Sequence, residues 1–252
     1  MRILTLNCST CNSSYDNQIE YLCPSCGGYE NINLFLDVQN YIKFLKKLNN
    51  KTATLIDKLN NKGILITDVR REKLGAFNII TLATIYDLAD YDNDIRYDDS
   101  RIPKTLKESN PKLDYDSIKR IIENIDLRNK YAYLVISLFL FEQLFTELAK
   151  NMGFTGKKTY WNVVNHIIDN LDLKDQTEKR DSLILPSFVR NALHSGGIHI
   201  GYKNQDTEMV VKNITFKFEH GKGIQYNSWR EIIFYFNNII EIIEEILDKE
   251  NS

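Results

Sequence analysis

Structure-breaking residues are scarce in this chain, with four prolines and eleven glycines among 252 residues. That excludes a collagen-like or low-complexity chain, and 43% hydrophobic with 26% charged side chains excludes disorder as well. A surplus of one charge is also lacking. The formal net charge is −2, so nucleic acid is not coated by bulk positive charge, although a local basic patch can still contact it. No uninterrupted apolar run reaches the roughly 20 residues that a bilayer takes. The longest, Tyr131 to Phe141, contains Ser137 and predicts a buried helix, so no membrane partner is expected. Asn7 and the cysteines interrupt the weakly apolar Met1–Leu6, which predicts no secretory signal and a cytoplasmic location. A glycine-rich phosphate loop, a His-Glu-x-x-His pair and a serine in a nucleophile elbow are all missing, which leaves kinase, nucleotide-hydrolase and protease readings without support.

What cysteine there is falls in one place. Cys8, Cys11, Cys23 and Cys26 form two Cys-x-x-Cys pairs near the start of the chain, with no cysteine to spare. Structural zinc takes four thiolates in a tetrahedron, and each Cys-x-x-Cys turn offers two. The β-prone stretches Arg2–Leu6 and Ile19–Leu22 each lead into one pair, the pattern of a zinc ribbon over residues 1–30. A disulfide framework would need a secreted chain, and a thioredoxin-like centre would need a pair that opens a helix within a β-α-β unit. Four sulfur ligands leave the metal no open position, so the expected cofactor is structural Zn2+.

Beyond the cysteines the apolar spacing changes to that of helices. Leu34, Val38, Tyr41, Ile42, Leu45 and Leu48 predict a helix over 33–49, followed by a second over Ala53–Leu59 that stops near Gly63. A third is expected from about Arg71 to Leu88. Residues 89–116 are rich in Asp, Asn, Ser and Pro and lack a period, which predicts a linker there and leaves 31–113 as a helical region without an assigned role. Asp114 or Asp116 can cap a helix that begins near Ser117, and Tyr131–Met152 predicts another, ended by Gly153. A helix over Tyr160–Leu171 is followed by charged residues 172–181 and a helix that Pro186 can start. Val210–Phe218 predicts a strand, turned back by Glu219–Gly223 into a hairpin over 209–226, before a closing helix that carries Trp229, Ile232, Phe236, Ile240 and Leu247. The expected fold class is therefore mainly α: a four-cysteine ribbon, a helical bundle and a small β-hairpin before the last helix.

The most informative constellation is Phe188-Val189-Arg190-Asn191-Ala192-Leu193-His194-Ser195-Gly196-Gly197. On a helix, Arg190 and His194 are one turn apart and project from the same face, with Val189 and Leu193 on the adjoining apolar stripe. Phosphodiester cleavage needs a cationic fork for the phosphate oxygens and a group that moves a proton, and an arginine beside a histidine supplies both without a metal. With RNA, the substrate's own 2′-hydroxyl can serve as nucleophile. Two alternatives stand beside this one: Arg190 pairs with an acid such as Glu142 while His194 caps its helix, or His199 takes the catalytic part.

Arg190-Asn191-x-x-His194 at a helix end, followed by Ser-Gly-Gly, resembles the motif of the HEPN (higher eukaryotes and prokaryotes nucleotide-binding) superfamily. The preceding Phe141-Glu142-Gln143-Leu144-Phe145 and Tyr160-Trp161-Asn162-Val163-Val164 fit the same pattern, so the resemblance covers roughly residues 117–252. Fewer residues separate Arg190 from His194 than in the family's usual active motif. The resemblance implies a metal-independent ribonuclease of bacterial toxin or antiviral defence type, dimeric through the helical domain. Arg190 would bind the phosphate, His194 would transfer the proton, and Asn191 would orient one of them or bind the phosphate. RNA is then the expected substrate, and a protein partner or inhibitor fits such systems. A non-catalytic module that binds RNA or a protein is the alternative, and a transcription regulator is disfavoured by the lack of a helix-turn-helix with a basic recognition helix.

The remaining features have plainer readings. Lys43, Lys46, Lys47 and Lys51, like Lys157 and Lys158, can touch a phosphate backbone but equally form solvated faces. Asp87, Asp92, Asp94, Asp98 and Asp99 lack the glycine and terminal glutamate of a calcium loop and predict a solvated loop.

Overall fold

The computed structural model describes residues 5–7, 14–16, 38–95, 101–171 and 173–249. Cys8, Cys11, Cys23 and Cys26, and with them the expected zinc ribbon, lie outside the described residues, as do the second β-prone stretch Ile19–Leu22 and Asp98 and Asp99. Near the start, β1 (Thr5–Asn7) pairs antiparallel with β2 (Ser14–Asp16), with Thr5 opposite Asp16 and Asn7 opposite Ser14.

The rest is mainly helical. α1 spans Val38–Asn61 as one helix where two were expected. Thr52 interrupts the apolar spacing, yet it is fully buried and its hydroxyl donates to the Leu48 carbonyl at 2.9 Å, so the helix runs on through it. α2 (Val69–Ile95) and α3 (Arg101–Ser109) occupy much of the stretch expected to be a linker. Asp87 and Asp92 are therefore on a helix and not in a loop. Pro103 falls in the first turn of α3, where its missing N–H costs no helical bond. Tyr91 donates its hydroxyl to the Ile122 carbonyl at 2.7 Å and packs with Ile118 and Ile122, with Ile102 and Leu106 against them, which holds this region onto the next helix.

That helix, α4 (Tyr115–Asn151), is one 37-residue element and not two, because no glycine or proline stands within it. Asp114 caps it by accepting the Ser117 N–H at 2.8 Å, and Gly153 with φ +83° follows its end. The polar stretch before Tyr131 is tied down by Asp126, which accepts the Trp229 indole N–H at 2.9 Å. As one continuous helix, α4 is long and apolar enough to cross a bilayer, and half of its apolar stretch is buried among the other helices.

α5 (Tyr160–Asn170) is followed by α6 (Gln176–His194), which contains Pro186 instead of starting with it. A proline inside a helix strands carbonyls of the preceding turn. The missing N–H of Pro186 would have met the Ser182 carbonyl; beside it the Tyr160 hydroxyl donates to the Leu183 carbonyl at 3.1 Å and the Ser187 hydroxyl to that of Ile184 at 2.6 Å. β3 (Thr207–Val211) and β4 (Ile214–Phe218) form the hairpin, but the turn is Lys212-Asn213, both with positive φ, and not 219–223. Two left-handed residues match the strand twist of a tight hairpin, a conformation asparagine tolerates.

α7 (Trp229–Lys249) is buried on nearly every side from Trp229 to Asn238 and packs on α1 and α6. Phe77 of α2, Tyr133 and Phe141 of α4, and Phe236 of α7 meet at its centre, with Phe77 4.7 Å from Phe141 and 5.4 Å from Phe236 between ring centroids. One core therefore joins α1 and α2 to α4, α6 and α7. A seam of ion pairs flanks it: Glu241 accepts from Lys51 at 2.8 Å and Lys212 at 2.5 Å, and Glu245 pairs with Lys179.

Candidate functional site

The last two turns of α6, beyond Pro186, carry Arg190, Asn191 and His194. Val189 and Ala192 are buried on the inner face, so Arg190 and His194 stand at its edge. The Arg190 Nη1 donates to Glu142 Oε1 on α4, and each of these two side chains retains 21% exposure. Asn191 Oδ1 accepts from Arg190 Nε at 3.3 Å and Nη2 at 3.1 Å. A planar guanidinium held by an acid from one helix and an amide from its own has a set orientation and N–H groups left for another anion. Close by, burial pushes the Tyr160 hydroxyl far above its ordinary value, Glu142 adds to the effect and Arg190 opposes it. Tyr160 therefore stays protonated and donates to the Leu183 carbonyl, serving as structural support for this corner.

His194 is exposed in the last turn, and its ring has no hydrogen-bond partner among the described residues. It is not needed as a cap. The Gly197 N–H donates to the Ala192 carbonyl at 2.8 Å and the Gly196 N–H to that of Leu193 at 3.3 Å, with both glycines at positive φ, so the backbone closes the helix. Of the other three histidines, two are hydrogen-bonded and His199 is enclosed, with its buried Nε2 left without a hydrogen-bond partner among the described residues. His166 Nε2 contacts the Met152 carbonyl at 3.2 Å, and His220 Nδ1 accepts the Gly201 N–H at 3.2 Å. His199 is 5% exposed, stacked on Phe188 at 5.5 Å and packed against Phe218. Burial, reinforced by His220 and opposed by Asp206, holds its imidazole below the ordinary histidine range. A ring so enclosed cannot reach a substrate, which corrects the alternative that gave His199 the catalytic part.

The site thus brings together Arg190 and Asn191 with Glu142, and places His194 one turn farther along the same edge. Glu142 was legible as an acid flanked by Phe141, Leu144 and Phe145; Tyr160 was not, because nothing in its spacing marks it as a hydroxyl donor to α6. Among the basic residues, Lys51 is committed to Glu241 while Lys43, Lys46, Lys157 and Lys158 are exposed. Among the described residues no group of three or more His, Cys, Asp or Glu side chains is placed to hold a metal ion, and the four cysteines are outside that set. Comparison of the chain with protein-family models, with curated proteins and with solved structures gives no match.

Proposed function

We propose that this chain is a metal-independent endoribonuclease in which Arg190 holds the scissile phosphate and His194 transfers the proton. One observation carries the reading: His194, exposed and unpartnered, stands one turn beyond a guanidinium whose orientation Glu142 and Asn191 set. In such a reaction the 2′-hydroxyl of RNA gives its proton to His194 and attacks the adjacent phosphorus, the bond to the 5′-oxygen breaks, and that oxygen takes a proton from water or a second histidine. The products are a 2′,3′-cyclic phosphate and a 5′-hydroxyl. Arg190 neutralises charge that builds on the phosphoryl oxygens.

A homodimer through the helical domain belongs to this proposal. Ile79, Leu82 and Tyr86 of α2 and Ile136 and Phe139 of α4 are exposed large apolar side chains, and Phe139 lies one turn before Glu142. Structural zinc on Cys8, Cys11, Cys23 and Cys26 also belongs to it, supported by an all-thiolate donor set whose first pair falls between the paired strands β1 and β2. Membership of a toxin or antiviral system rests on the HEPN-like motif alone.

A second reading is favoured by the Arg190–Glu142 pair itself. If Glu142 neutralises the cation permanently, the domain is a non-catalytic module that docks RNA or a partner protein. Incubation of pooled cellular RNA with wild-type protein and with His194→Ala in EDTA, both folded by circular dichroism, separates the two. Cleavage by the wild type alone supports the enzyme; equal cleavage by both, or none by either, supports the module.

A further inference from the structure

Beyond α6 the chain runs on as an extended segment, 197–201, whose attachment to the rest of the fold is slight. Three backbone hydrogen bonds hold it to 221–224: His199 N–H donates to the Lys222 carbonyl at 2.9 Å, Gly221 N–H to that of His199 at 2.9 Å, and Ile224 N–H to that of Gly197 at 2.9 Å. Alternate residues of an extended segment face opposite sides. Ile198 and Ile200 face out and are exposed, so the inward-facing side chain that anchors the segment is His199, stacked on Phe188 of α6 and packed against Phe218 of β4.

The two phenylalanines enclose His199 as they would a third apolar ring, yet an imidazole can take up a proton. Its Nε2 is buried and has no hydrogen-bond partner among the described residues. A neutral ring can leave that nitrogen as an unfilled acceptor. The imidazolium carries an N–H on both nitrogens and would place a charged donor there with nothing to receive it. Burial weighs most against the charged ring, His220 adds to it, and Asp206, which favours the cation, already accepts the His220 backbone N–H at 2.8 Å. Glu219 and Lys222 of the paired segment are exposed, while α6 and β4 turn aromatic rings toward the imidazole.

Gly197 ties this segment to the candidate site. Its carbonyl accepts the Ile224 N–H, and its own N–H donates to the Ala192 carbonyl, which closes the turn that carries His194. Gly196 and Gly197, with φ of 68° and 84°, supply the freedom of a hinge between helix and segment.

We propose that His199 is a proton-operated latch: uncharged, it seats between Phe188 and Phe218 and holds 197–201 on 221–224, and on taking a proton it leaves the slot, so that the three backbone bonds open and the turn carrying His194 loses its clamp. Such an opening is local, since it gives up one side chain and three hydrogen bonds while the helical core stays packed. The latch goes beyond the ribonuclease reading and does not depend on it; under that reading it makes the placement of His194 sensitive to pH.

Amide hydrogen exchange of the full-length protein, with each rate divided by the intrinsic rate at the same pH, tests the latch. If the ring ionises only outside its slot, with a free-histidine value of about 6.5, protection of peptides covering 197–201 and 221–224 should fall about thirtyfold between about pH 7.5 and about pH 5. Those peptides should respond little to urea below the unfolding midpoint, whereas peptides of α7 respond steeply, because a local opening exposes little surface. His199→Phe, which keeps a ring in the slot, should retain its protection at the lower pH. Unchanged protection in the wild type, an equal fall in His199→Phe, or a urea response parallel to that of α7 overturns the latch. His220 Nδ1 accepts the Gly201 N–H at 3.2 Å, so a fall kept by His199→Phe and abolished by His220→Gln assigns the switch to His220 and also overturns it. Should His199→Phe not fold, NMR of the wild type decides: a His199 ring that titrates in step with the loss of protection supports the latch, and one that titrates while the amides stay protected overturns it.

Discussion

Removing Glu142 tests whether the Arg190 fork is held in place from α4. Fully exposed ion pairs contribute about 0.2–1 kcal/mol. Hydrogen bonds to charged groups away from water contribute about 1.5–3 kcal/mol. With both side chains 21% exposed, this pair falls between those limits, and a coupling of about 1–2 kcal/mol is expected. The assay is a double-mutant cycle: urea unfolding of wild type, Glu142→Ala, Arg190→Ala and the double variant, with unchanged slopes as the check on two-state behaviour. Arg190→Ala should also cost stability on its own, because it leaves a half-buried carboxylate at position 142 without its cation. Two single effects that add to the double effect within about 0.3–0.5 kcal/mol would refute the pairing. In the cleavage assay Glu142→Ala should lower activity by about tenfold through loss of the guanidinium's orientation. A rise in activity would show instead that Glu142 competes with the phosphate for Arg190.

Phe141→Ala empties the centre of the aromatic cluster with Phe77 and Phe236 and should cost about 3–5 kcal/mol, read from the urea midpoint. Glu241 is pushed up by burial, but its bonds and charge interactions with Lys212 and Lys51 outweigh that and hold it below its ordinary value of 4.5. A carboxylate held low stabilises the fold above its unfolded value and loses that contribution as pH falls through the folded one. Acid midpoints should accordingly be less steep for Glu241→Gln than for wild type. For His199, held below its ordinary 6.5, the unfolded chain takes up the proton first, so stability should fall as pH drops below that value. His199→Phe, which keeps the stack with Phe188 and Phe218, should remove that part of the pH dependence in thermal unfolding.

The helical character of the chain was legible because buried faces repeat every three or four residues, as in Tyr41, Leu45 and Leu48 of α1. Helix boundaries were less so. Thr52 and Pro186 look like interruptions in the sequence, yet both lie inside helices and are buried among other elements, which the apolar spacing does not reveal. The stretch 89–116 lacks a period because α2 ends and α3 begins there, with contacts on only a narrow face around Tyr91. At the site, the Arg190–Glu142 partnership was readable from an acid amid apolar residues on α4. Which histidine stays free was not: His194 and His199 are five residues apart, and their difference arises from the pairing of 197–201 with 221–224, a contact between distant segments without periodic signal.

The central claim, cleavage by Arg190 and His194 with the RNA's own 2′-hydroxyl as nucleophile, is tested most directly by the chemistry of the cut. A single-stranded RNA that wild-type protein cleaves in EDTA is remade with one 2′-deoxy nucleotide on the 5′ side of the scissile phosphate, and the products are analysed by mass. The account predicts a 2′,3′-cyclic phosphate and a 5′-hydroxyl from the all-RNA strand, no cut at the deoxy position, and no cut at all by Arg190→Ala or His194→Ala. Cleavage at the deoxy position, or a 5′-phosphate on the product, would contradict it.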